Sequence, residues 1–194
     1  MSKAVIVHCW EGSPTYCWYP WVQSRLTERG WEVDVPAMPR PNAPDLSRWL
    51  STLQKHIGAP TADLFLVGHS IGCATILRYL EALEEEVMVG GVVLVAGFTD
   101  DLGYNELRSF FLAHFDFLRI QGRTNHTVAI HSDDDPFVPL QFAKVFQEQL
   151  KASIIVKHAM KHFSGPVDGE ESCTELPEVV ESLFSMGKDN AKHS

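Results

Sequence analysis

The chain has 194 residues, 45% of them hydrophobic and 21% charged, with a formal net charge of −9. That length supports one well-buried core and leaves little room for a second domain, and the composition is that of a folded globular chain. The negative charge argues against a nucleic-acid binder, which needs Lys and Arg clustered against phosphate, and against docking on an anionic membrane surface.

Taken in chain order, Ala4–Val7 is an apolar run that reads as a first strand. It is too short for a secretory leader, whose apolar core needs roughly 7–15 residues. A loop containing Glu11, Gly12, Ser13 and Pro14 follows, then a helix over Trp18–Arg29, with Gly30 as its stop signal. Trp31–Val35 is a second strand, and the proline-rich stretch Pro36–Pro44 excludes regular structure. Leu46, Trp49, Leu50, Leu53 and Ile57 mark an amphipathic helix that starts near Asp45 or Ser47. Leu64–Val67 is a third strand, Ile71–Leu83 a third helix, and Gly91–Ala96 a strand apolar on both faces. Tyr104–Leu118 is helical in part and rich in Phe; Thr127–Ile130 is a strand, Gln141–Leu150 a helix, Ser153–Lys157 a strand and Glu175–Phe184 the last helix. Residues 188–194 are expected to form a frayed polar tail after a single domain over residues 1–187.

The longest apolar stretch, Val87–Phe98, falls short of the roughly 20 residues needed to span a membrane. Cys9, Cys17, Cys73 and Cys173 contain no CxxC pair, so free thiols in a reducing cytoplasm are expected. Strands alternating with helices predict right-handed crossovers and a mainly parallel sheet of about six strands, with helices on both faces.

The chemistry is concentrated in DLFLVGHSIGCATILRYL, residues 63–80, where a buried strand runs through GHSIG directly into a helix. In a nucleophile elbow the serine sits on a strained strand-to-helix turn that lifts its hydroxyl clear of the sheet. Ser70 is therefore the candidate nucleophile. Gly68 and Gly72 stand where a side chain would collide across the turn. His69 adjoins the serine but points elsewhere, as a packing or hydrogen-bonding residue rather than the base.

In this kind of site the acid and the histidine follow the serine in the chain. The segment TVAIHSDDDPFVPL, residues 127–140, offers Asp135, beside the rigid Pro136, with Asp134 as the close alternative and Asp100 and Asp101 further away. The base is His162, in the loop AMKHFSGP, with His158 at the end of a strand as the alternative. Two backbone N–H groups are expected to form an oxyanion hole: Ile71, after the nucleophile, and Trp10, in the loop HCWEGSP. Trp10, Tyr16, Trp18 and Phe163 are candidate pocket walls, and Phe110, Phe111, Phe115 and Phe117 form either an apolar lid or ordinary helix packing. No GxGxxG after a strand, no GxxxxGK[ST] and no HExxH is present. Acyl transfer through a serine requires neither cofactor nor metal.

The ordered set AVIVHCWEGSP, YPWV, GHSIG, GGVVLVAG with TDDLG, SDDDPFVP and KHF resembles the YdeN family of small α/β hydrolases, to which the mammalian retinoblastoma-binding protein nine is related. The resemblance implies a compact α/β-hydrolase fold without a large cap domain and a triad at Ser70, Asp135 and His162. Two positions depart from the family pattern: Cys9 stands where relatives usually carry Gly, and Lys161 where they often do. The expected activity is hydrolysis of a small-molecule ester, or less readily an amide, through an acyl-serine. The alternative is a hydrolase-fold interaction module with a protein partner. No pattern speaks to oligomeric state.

Overall fold

The computed structural model describes residues 1–165 and 172–193. Six strands form the sheet: β1 (Lys3–Val7), β2 (Glu32–Asp34), β3 (Leu64–His69), β4 (Gly91–Val95), β5 (Thr127–Ser132) and β6 (Ser153–Lys157). All run parallel, in the order β2-β1-β3-β4-β5-β6. The helices are α1 (Tyr19–Thr27), α2 (Leu46–Ile57), α3 (Ile71–Ala82), α4 (Phe117–Gln121), α5 (Gln141–Leu150) and α6 (Pro177–His193), with a 3-10 helix over Asn105–Phe110.

The period-two alternation of strand side chains divides the core into two layers. Val5, Leu66 and Val92 stand in register and point toward α2, α3 and α5. Ile6, Val67, Val93 and Val128 form the complementary row toward α1 and α6. Both faces are covered, which is why the central strands read as continuous apolar runs. At about 1.5–3 kcal/mol for each fully buried aliphatic side chain, these rows dominate the favourable side of folding. The edge strands β2 and β6 are shorter or more exposed.

Local signals set most element boundaries. Asp45 caps α2 by accepting from the Arg48 N–H. Gly30, at φ 80°, lets the chain leave α1, with the Trp31 N–H returning to the Leu26 carbonyl. The last helix exceeds expectation: the apolar pattern ended it at Phe184, whereas α6 keeps helical backbone to His193, through most of the segment read as a tail, and Ser194 lies outside the described residues. The four phenylalanines Phe110, Phe111, Phe115 and Phe117 pack rather than forming a lid. Phe110 and Phe115 are buried against α3, where Arg78 stacks 3.9 Å from the Phe115 ring centroid and donates to the carbonyls of Phe110, Ala113 and His114. Among the described residues no helix is long and apolar enough to cross a membrane.

Candidate active site

Every loop of interest leaves the carboxyl end of a strand, which gathers them along one edge of a parallel sheet. The loop after β1 carries Cys9–Tyr16, β3 ends at Ser70, β5 leads to Asp133–Val138, and β6 leads to His158–Ser164. Among the described residues, nine of the ten non-glycine residues at positive φ lie on loops at this edge: Glu11, Cys17, Arg40, Ser70, Ala96, Leu102, Ala159, Lys161 and Phe163. Backbone strain of this kind concentrates where surrounding structure imposes it, commonly at functional sites.

Ser70 takes φ 57° and ψ −123°, a conformation L residues rarely adopt. Its N–H is tied to the Val95 carbonyl at 2.9 Å, and its carbonyl accepts from Cys73 N–H at 2.9 Å. The two glycines are required by backbone proximity. A Cβ on Gly68 would sit 2.7 Å from the Cys73 backbone, and one on Gly72 would sit 2.2 Å from the Val7 carbonyl oxygen. The elbow is thus wedged between the first turn of α3 and the end of β1. α3 aims its N-terminal dipole at the site.

Asp135 and His162 meet through a 2.8 Å contact from Nδ1 to a carboxylate oxygen. The other oxygen of Asp135 accepts the N–H groups of Phe137 and Val138, at 2.9 and 3.0 Å. That carboxylate is therefore fixed at both oxygens, and it is only 2% exposed. The alternatives sort themselves geometrically. Asp134 holds Ser132 Oγ, the Lys161 N–H and the Lys161 ammonium. Its hydrogen bond from Ser132, with those from Lys161, pulls its carboxyl down to about 2. Asp133 pairs with His158 at 2.7 Å, on a side chain 90% exposed. Asp100 and Asp101 close turns onto the N–H groups of Leu102 and Gly103. Three consecutive aspartates thus staple successive parts of one loop, and Asp135 holds the histidine that faces the cavity.

That cavity, about 480 Å³, is lined by Ser70 and His162 together. Among the described residues the Ser70 hydroxyl has no hydrogen-bond partner, His162 included; such contacts commonly tighten only when substrate binds. The Trp10 and Ile71 N–H groups likewise have no acceptor among the described residues, and Ile71 directly follows the serine. Of the expected walls, Trp10 and Tyr16 line the cavity. Trp18 and Phe163 do not: both are fully buried in the layer against α1 and α6, because their side chains fall on that face of the sheet. Phe98, Leu102, Tyr104, Leu107, Phe137 and Val138 supply the remaining apolar wall. They come from the loops after β4 and β5, and no local pattern marks them out.

The two departures from the family pattern have local explanations. Lys161 sits at φ 48°, where Gly is unstrained, and its bonds to Asp134 hold it there. Cys9 also lines the cavity, and burial pushes its thiol up to about 11, so it stays protonated near neutral pH. Among the described residues all four cysteines are free thiols.

The family model described as "Serine hydrolase" matches residues 4–184. YdeN of Bacillus subtilis is 36% identical over 187 residues, covering 95% of this chain and 96% of that protein. Its crystal structure superposes with a TM-score of 0.90, 34% identity, and coverage of 97% of this chain and 100% of that one. The serine hydrolase RBBP9 of Rattus norvegicus is 27% identical over 190 residues, 95% of each chain. Est1E of Butyrivibrio proteoclasticus, at 15% identity and a TM-score of 0.73 over 98% of this chain and 88% of that one, shares the fold. A strained serine between strand and helix, an imidazole on the same cavity backed by a buried carboxylate, and these family matches lead to one conclusion: the chain belongs to the serine hydrolase family and has the α/β-hydrolase fold.

Proposed function

We propose that this hydrolase cleaves a carboxylic ester, and an amide less readily, of a small uncharged molecule through an acyl-Ser70 intermediate. The observation that carries this reading is His162, held from behind by the buried Asp135, on the wall of the cavity that Ser70 also lines. In the mechanism, the Ser70 oxygen attacks the ester carbonyl while His162 Nε2 takes the hydroxyl proton. Asp135 accepts from Nδ1–H, keeping the imidazole in the tautomer that leaves Nε2 free, and supports the imidazolium once it forms. The Trp10 and Ile71 N–H groups receive the oxyanion of the tetrahedral intermediate, each worth about 3–4 kcal/mol if typical of such donors. Collapse breaks the ester bond, and the proton on His162 passes to the leaving alkoxide. Water then enters, gives a proton to His162 and attacks the acyl carbon; the acyl–Oγ bond breaks, the carboxylic acid leaves, and His162 returns its proton to the Ser70 oxygen.

The cavity wall supports the substrate class. Among the described residues it is aromatic and aliphatic, and apart from His162 its one acidic or basic side chain is Glu11, so an anionic acyl group would meet no cation there. The test is turnover of p-nitrophenyl acetate and butyrate by the wild type and by Ser70→Ala. We expect kcat to fall on the order of 10⁶-fold in the variant if the wild type is efficient. An unchanged enzyme-dependent rate in Ser70→Ala would reject the mechanism. Labelling by a fluorophosphonate separates an activated serine from a binding module that merely keeps the fold.

A further inference from the structure

The histidine of GHSIG is absent from the mechanism above, yet it is fully buried and both of its ring nitrogens are engaged. The Cys9 N–H lies 3.1 Å from the Tyr19 hydroxyl, that hydroxyl lies 2.7 Å from His69 Nδ1, and His69 Nε2 lies 2.8 Å from the His162 carbonyl oxygen. The ends of this chain settle its protons. A backbone N–H can only donate, and a carbonyl can only accept. His69 therefore carries its proton on Nε2, Nδ1 accepts from the Tyr19 O–H, and the Tyr19 oxygen accepts from Cys9. Each bond then has one donor and one acceptor, with a neutral ring in the middle.

We infer that Tyr19 and His69 are positioning residues: a buried hydrogen-bond relay that locks the oxyanion loop, at Cys9, to the base loop, at His162. The inference rests on the roles proposed above for His162 and the Trp10 N–H. Cys9 immediately precedes Trp10, so the relay fixes the peptide beside one proposed oxyanion donor and the backbone of the base itself. His162 needs such an anchor, because its neighbours Lys161 and Phe163 both sit at positive φ, at 48° and 53°. A second bond from the same side reinforces it, as the Tyr16 hydroxyl accepts from the Gly165 N–H. Around His69 the packed groups are the Tyr19 and Trp18 rings from the α1 region and the His162 ring at 5.3 Å, with His8 near enough to act electrostatically. Burial above all, then the His162 and His8 rings, holds His69 well below the usual histidine range. The ring is therefore kept neutral, as the relay requires.

A pair of side chains of different reach tests the direction of the relay. In His69→Gln the amide nitrogen falls where Nε2 was and still donates toward the His162 carbonyl. In His69→Asn the amide reaches only the Nδ1 position, so that bond is lost. With p-nitrophenyl butyrate we expect His69→Asn to lose about 10²-fold in kcat, the scale of a roughly 1 Å misplacement of catalytic groups, with KM little changed. His69→Gln should recover about tenfold of that loss, and Tyr19→Phe, which removes a single oxygen, should lose roughly tenfold. Equal losses in the Asn and Gln variants, or wild-type kcat in Tyr19→Phe, would overturn the relay while leaving the hydrolase reading intact.

Nitrogen NMR of the histidine rings in the folded wild type decides the relay independently of activity. His69 should stay neutral with its proton on Nε2 across the neutral and mildly acidic range, and its Nδ1 resonance should move in Tyr19→Phe. A His69 that titrates there, or that carries its proton on Nδ1, would overturn the inference. A wild type that resists fluorophosphonate would instead reject the hydrolase reading, with the NMR signature still deciding whether the relay exists.

Discussion

Two histidine–aspartate pairs bridge the same two loops at nearly the same distance, yet they occupy different physical worlds. His162 and Asp135 meet at 2.8 Å with side chains 10% and 2% exposed; His158 and Asp133 meet at 2.7 Å with side chains 90% and 39% exposed. The exposed pair is screened by water and worth little, whereas the buried pair acts in a low-dielectric pocket with its second carboxylate oxygen already satisfied by backbone. Contact chemistry alone does not single out the proposed base. What separates the pairs is burial and the shared cavity with Ser70.

The comparison is broken or sharpened most strongly by deleting the imidazoles in turn. His162→Ala should lower kcat for p-nitrophenyl butyrate by about 10⁵–10⁶-fold, whereas His158→Ala should leave it within about twofold. A comparable loss in His158→Ala would mean that the exposed ring is the working base. On the carboxylate side, Asp135→Asn should cost about 10⁴-fold by stabilising the wrong tautomer of His162, with Asp133→Asn nearly silent in the same assay.

A smaller effect is expected in the acid stability of the fold. Burial lowers His131 to about 4 and also lowers His8 and His69. The unfolded chain takes up these protons first, near pH 6.5, so the stability contributed by the neutral rings is complete above that pH and is lost as pH falls through the folded values. For His131 alone this amounts to about 2 kcal/mol between pH 7 and pH 5. Urea unfolding at both pH values should show the drop, and His131→Leu should flatten it; an undiminished slope in the variant would remove His131 from that account. The smallest effect belongs to the exposed pair. Asp133 raises the pKa of His158, so its contribution is present at low pH and fades as pH rises through the folded value. His158→Ala should leave the thermal midpoint at pH 7 unchanged within error.

Features written locally were the legible ones. The six strands and the elbow could be read because each depends on neighbours within a few residues: alternating or continuous apolar runs, glycines two positions either side of Ser70, a helix beginning at Ile71. Features made by distant partners were not. Nothing near Asp133, Asp134 or Asp135 says which of His158, Lys161 and His162 each will hold, since those partners lie 25 to 27 residues away on another loop. Trp18 and Phe163 looked like pocket walls because aromatic side chains near a site line pockets and fill cores equally well, and the sheet face decided for the core.

The amino-acid order alone therefore determined a parallel α/β scaffold and a serine held in a strained turn, because backbone preference and side-chain periodicity act over a single element. Which imidazole stands on the cavity with that serine, and that Tyr19 and His69 tie its loop to the one after β1, was decided only when segments 50 to 93 residues apart came together. Burial and hydrogen-bond pairing are properties of that assembled edge. No segment carries them by itself.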